Sequence, residues 1–159
     1  MLLPIKRDQA VSLFALLVTI HALAATVWTG GHLVLDLGVL PQALRQQRAE
    51  PIRTYEATFE PLGLVALAIQ VVTGAWLAWL YNPGYTDLFS RHSSIGALLG
   101  AKLVLLVATL ALALHARLWL IPQLRDDTLN GLAWHIRGIT ALAIGFVVVG
   151  AGIRLGGWS

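Results

Sequence analysis

The chain has 159 residues, 57% of them hydrophobic and 12% charged, with a mean hydropathy of +0.74 and a net charge of +3. That is too apolar for an ordinary soluble domain, and with no cysteine it excludes disulfides, thiolate metal sites and iron–sulfur clusters. The basic residues sit mainly at the ends of apolar segments, so the pI near 9.8 reads as membrane topology and no nucleic acid is expected.

After the short polar lead MLLPIKRDQ, four segments reach the roughly 20 apolar residues that a bilayer-crossing helix needs. They lie at about 10–39, 61–81, 94–121 and 132–155. The first lacks a short apolar core followed by a cleavage site, so it reads as a retained span. The expected fold is all-α: one integral membrane domain, an antiparallel four-helix bundle. The connection QALRQQRAEPIRTYEATFEP follows the first span, and Pro61 is expected in the first turn of the second helix. Asn82-Pro83-Gly84 marks a turn, and QLRDDTLNG joins the third and fourth spans. Four spans place both termini on one side. Six basic residues near the ends of the other side (Arg45, Arg48, Arg53, Arg117, Arg125, Arg137) against four (Lys6, Arg7, Arg91, Arg154) favour termini outside the cytoplasm. A bacterial inner membrane is the expected location.

The first span carries the polar residues that organise the rest. At about 100° and 1.5 Å per residue, His32 returns to within roughly 20° of His21 and lies about 16 Å along the helix, with Trp28 on the same face. Counting from each membrane face gives two tiers. His21 and Lys102 share one level, with Gln70, Thr73 and Gly74 of the second span near them. His32, His115 and His135 share the other, with Asp36, Arg117 and Arg137 close in sequence. Buried polar side chains in a membrane require inward partners, which makes both tiers candidate sites. Gly131, Gly138, Gly145 and Gly152 recur every seven residues in the fourth span, a face that admits a neighbouring helix or a flat cofactor. His92 at the start of the third span reads as an interfacial or capping residue. Trp76, Trp79, Trp119, Trp134 and Trp158 read as interface anchors.

Neutral imidazoles for axial ligation, small residues for close approach and cations for propionates are the requirements of a haem site. The second tier offers His32, His115 and His135 as ligands, Gly31 beside them, and Arg117, Arg137 and Arg53 for carboxylates. His21, Trp28 and Lys102 would serve a second cofactor or an electron or proton path. Haem b or a relative such as iron coproporphyrin is the expected cofactor, with electron transfer or sensing as the function. Three histidines without sulfur ligands also suit Cu(II), as a bound centre more readily than a transport path. Whether the chain turns over a substrate stays open, as does a homodimer through its glycine faces; a membrane or periplasmic redox partner is expected.

The run H-x6-W-x-GG from His21 to Gly31, then His32 and Leu40-Pro41, resembles the first helix of the copper resistance D (CopD-like) membrane domain. The resemblance continues through FEPLG at 59–63, VTG at 72–74, GALLGAKLVLL at 96–106 and IPQL at 121–124, covering about 18–125. It implies a four-helix membrane domain associated with copper. The same His-Trp-Gly helix and mid-span lysine are also similar to the HemJ type of protoporphyrinogen oxidase, a small haem-binding membrane protein. That similarity implies a tetrapyrrole oxidase with His21 and Lys102 as its essential pair.

Overall fold

The structure, a computed structural model, describes residues 7–85, 88–89 and 93–157. Lys6, Arg91, His92 and Trp158 lie outside the described residues. Among those described there is no strand, and four helices are long and apolar enough to cross a membrane. Helix α1, Arg7–Val34, passes through a widened π turn, Leu35–Val39, into α2, Leu40–Gln46. Helix α3 is Glu50–Tyr81; α4, Ser94–His115, ends in a second π turn, Ala116–Leu120; α5 is Leu129–Arg154.

Both π turns have the same local cause. Pro41 and Pro122 lack an N–H and would clash with the carbonyl one turn back in a regular helix. The residue before each proline bonds five residues back instead of four: Leu40 N–H to Leu35 O, and Ile121 N–H to Ala116 O at 2.8 Å. The slip inserts one residue and lets the helix absorb the proline. Such bulges occur often at functional sites, and here each follows a histidine of the second tier, His32 or His115.

The boundary of α3 corrects the sequence reading. The helix starts at Glu50, with Pro51 in its first turn, so Pro61 lies inside it and most of the expected 42–60 connection is helical. The reversal between α2 and α3 takes only a few residues because Gln47 adopts a left-handed conformation (φ 51°) and Arg48 N–H closes back on Ala43 O at 3.1 Å.

Helix α1 packs against α3 and α5, and α5 against α4, while α3 and α4 do not pack closely on each other. The result is an up-down-up-down bundle with one side ajar. Its most completely buried cluster lies at the end away from the termini: Leu35, Leu40, Ala43, Ile52, Leu129, Leu132 and Ile136. Asp126 Oδ1 accepts from Ala49 N–H at 2.7 Å and Arg53 donates to Leu124 O, tying the two loops of that face together. Two glycines of α5 serve helix packing: Gly138 and Gly145 face Leu112 and Leu105 of α4 at van der Waals distance.

Candidate functional site

The second tier converges directly above that buried cluster. His32, on the last turn of α1, is 8% exposed and its Nδ1 lies 2.9 Å from the carbonyl of Trp28. A carbonyl can only accept, so the proton sits on Nδ1 and Nε2 keeps its lone pair. Trp28 covers one side of the ring at 4.4 Å between centroids, and Phe59 meets it edge-on at 5.7 Å and 85°. The neighbouring carbonyls are approached from outside the helix: Tyr55 Oη donates to Gly31 O at 2.7 Å, and Thr140 Oγ1, whose proton is shared with Ile136 O at 2.9 Å, lies 3.3 Å from His32 O. Both lie just upstream of the π turn, where the helical ladder slips.

His135 enters from the early part of α5. Its Nε2 lies 2.8 Å from Leu112 O, so that nitrogen is the donor and Nδ1 keeps the lone pair. A histidine whose second nitrogen donates to a backbone carbonyl is fixed in the tautomer and orientation that metal ligation uses. His32 and His135 line one cavity of about 40 Å³, together with Glu56 of α3, Ala116 of the second π turn, Ile52 and Ile136. His32, Glu56 and His135, from three helices, therefore line the same small space.

Sequence reasoning missed Glu56, because it placed that residue in a loop. The signal was present: Ile52, Glu56, Phe59 and Gly63 fall at helical spacing, and all four are wholly or partly buried on the inner face of α3.

His115 stands differently. Its ring is 5.3 Å from that of His135 and 5.6 Å from Trp119, but it is exposed and does not line the cavity. The arginines expected to meet propionates have other partners. Arg117 pairs with Glu60 at 2.8 Å, Arg53 donates to Leu124 O, and Arg137 lies over the Trp134 ring at 5.4 Å. Asp36 does not line the cavity either.

Haem-sized ligands occupy pockets of about 300–1,000 Å³, and the notch at Gly31 that would admit a ring is filled by Phe59. The arrangement does not fit a tetrapyrrole as it stands. A space of about 40 Å³ does suit an ion with a water, since one water needs about 10–15 Å³ by this measure. Among the described residues, no three His, Asp or Glu side chains already converge as a closed metal shell. Ligation would draw His32, His135 and Glu56 inward across the cavity.

The first tier also forms. His21 Nδ1 lies 2.9 Å from Thr73 Oγ1 and its ring packs on Gly74, 3.1 Å from where a Cβ would stand. Lys102 lies on α4, its Nζ 3.2 Å from where a Cβ on Gly150 of α5 would stand. Trp28, 6% exposed and packed on Ile139 and Ala143, separates the two tiers.

Four apolar spans enclosing polar tiers define a multi-pass α-helical membrane protein. The sequence model of the copper resistance protein D family matches residues 54–153, more than half of the chain, and the chain belongs to that family. The matched region includes Glu56, Lys102, His115 and His135, while α1 with His21 and His32 precedes it. No curated protein and no solved structure matches the chain significantly, and the HemJ-type resemblance has no counterpart among these matches.

Proposed function

We propose that this protein is a copper-binding membrane protein whose ion sits in the cavity between His32, His135 and Glu56. The observation that carries the reading is the pair of imidazoles, each with one nitrogen committed to a backbone carbonyl and the other free to ligate, lining one small cavity with a carboxylate. Nitrogen and oxygen donors without sulfur suit Cu(II) better than Cu(I), and the chain's sole methionine is Met1. Membership of the copper resistance protein D family supports the choice of metal. The role is a bound centre, buried under Trp28 and Phe59, that holds copper at the membrane face away from the termini.

The haem reading keeps one supporting observation, the 5.3 Å approach of His115 to His135 beside the widened turn of α4. It requires Phe59 to leave the notch at Gly31 and α1 to part from α3. Metal content and an absorption spectrum on the same detergent-purified sample separate the two. Copper at one per chain, lost in His32→Ala and His135→Ala, supports the copper centre. A Soret band that shifts on dithionite reduction would replace it with haem.

A further inference from the structure

Of the three histidines in the second tier, His115 is the one that the copper cavity leaves unused. Its place is set by the end of α4. Just before the π turn, the Ala116 N–H divides between Ala113 O and Leu112 O. Leu112 O also accepts from His135 Nε2 at 2.8 Å, so His135 is anchored to the last turn of α4 although it belongs to α5. His115 stands three residues after Leu112, on the same side of that turn. The two rings meet at 5.3 Å between centroids and 40° between planes, and Trp119 backs His115 at 5.6 Å.

The cavity is covered unevenly. Its end toward the loops is closed by the buried Leu35, Ile52, Leu132 and Ile136, and His32 is sealed beneath Trp28 and Phe59. Of the two imidazoles that line it, His135 is only half-buried, and the ring beside His135 is the exposed His115. A file of two imidazoles thus runs from the surface of α4 to the cavity wall. An ion held by one imidazole at a bond length of about 2.0–2.1 Å is within reach of a second ring whose centroid stands roughly 5–6 Å from the first. The separation of His115 and His135, 5.3 Å, falls in that range. An ion on His115 can therefore exchange onto His135 without first returning to water.

We infer that His115 is the entry ligand of the copper centre: it takes the ion at the surface of α4, passes it to His135, and has no part in the completed site. The inference rests on the copper reading. The step is a ligand substitution around one Cu(II); no electron moves, and no proton is lost because both rings ligate as neutral imidazoles. A ligand used only in transit lowers the barrier equally in both directions, so His115 speeds loading and release without changing the equilibrium. Its position outside the cavity is what that role requires.

The test is stopped-flow mixing of the full chain in nanodiscs with Cu(II)–glycine, loading being followed by quenching of tryptophan fluorescence. Release is followed after mixing the loaded protein with excess EDTA. His115→Ala should slow loading and release alike by about tenfold or more, with Kd unchanged within about threefold. His115→Phe keeps a ring beside Trp119 and His135 but no nitrogen, and should be equally slow. Helix content measured by circular dichroism checks that each variant folds. Wild-type rates in both variants would overturn the inference and leave the copper centre standing. Faster loading in His115→Ala would overturn it as well, because the ring would then be a plug over the cavity, and so would a wild-type rate in His115→Phe, because stacking would then be its role. A fall in affinity of more than about tenfold in either variant would make His115 a ligand of the finished site instead. A wild type that takes up no copper would refute the copper reading itself, and the relay with it.

Discussion

Gly31→Ala adds one methyl group at the contact on which the copper cavity leans. A Cβ at Gly31 would overlap the Phe59 ring. The ring has little room to retreat. Its Cε1 is 3.0 Å from the Cβ position of Gly63, Tyr55 stacks on it at 5.6 Å, and His32 meets its edge at 5.7 Å. Overpacking of this kind costs about 1–3 kcal/mol, against a gain of about 0.5–1 kcal/mol that alanine brings over glycine in a helix. The net expected loss is about 0–2.5 kcal/mol, with the upper half expected because the ring is hemmed in on three sides. Gly30→Ala is the internal control, since nothing lies within 4 Å of its Cβ position, and it should be neutral or stabilising. Denaturation in detergent, followed by far-UV circular dichroism, measures both. Displacing Phe59 also pushes on His32, so copper affinity should fall about tenfold in Gly31→Ala. Phe59→Leu in the same chain should recover most of both losses, a coupling that a double-mutant cycle isolates. If Gly31→Ala proves as stable as Gly30→Ala, or if Phe59→Leu brings no recovery, the wedge is not what positions His32.

Other outcomes follow from the same geometry. His135→Ala should abolish stoichiometric copper binding, while His115→Ala, which removes a ring outside the cavity, should change affinity less than about threefold by isothermal titration. Tyr55→Phe removes the hydroxyl that donates to Gly31 O and should cost about 0.5–1.5 kcal/mol in the same denaturation assay. Glu60→Gln breaks the ion pair with Arg117 between α3 and the end of α4, but with side chains 28% and 58% exposed it should cost less than about 1 kcal/mol. Asp126→Ala removes the acceptor for Ala49 N–H and should destabilise the loop face by about 1 kcal/mol, read as faster proteolysis between α2 and α3.

The four spans were legible because hydrocarbon demands long apolar helices, and little else in a sequence looks like them. The two tiers were legible for a related reason: polar residues are scarce in the spans, and a constant rise per residue converts their positions into depth. That arithmetic brought His21 to Thr73, and His32 to the cavity shared with His135. What it lacked was rotation about each helix axis. His115 has the right depth but faces outward, a difference of angle that packing against α5 decides. Proline misled the boundary of α3, because Pro51 and Pro61 both suit a first turn and the chain uses the earlier one. Moving that boundary converts Glu56 from a loop residue into a wall of the cavity. The π turns had a visible trace in Leu40-Pro41 and Ile121-Pro122, each a few residues after a histidine. Only the hydrogen bonds reveal that the helices continue through them.

The most direct test of the copper centre is pulsed electron paramagnetic resonance on the Cu(II)-loaded protein, with histidine labelled with nitrogen-15. The geometry predicts coupling to two imidazoles, reduced to one in either His32→Ala or His135→Ala and unchanged in His115→Ala. A copper signal that dialysis removes from the wild type, or one indifferent to both His32 and His135, would contradict the account.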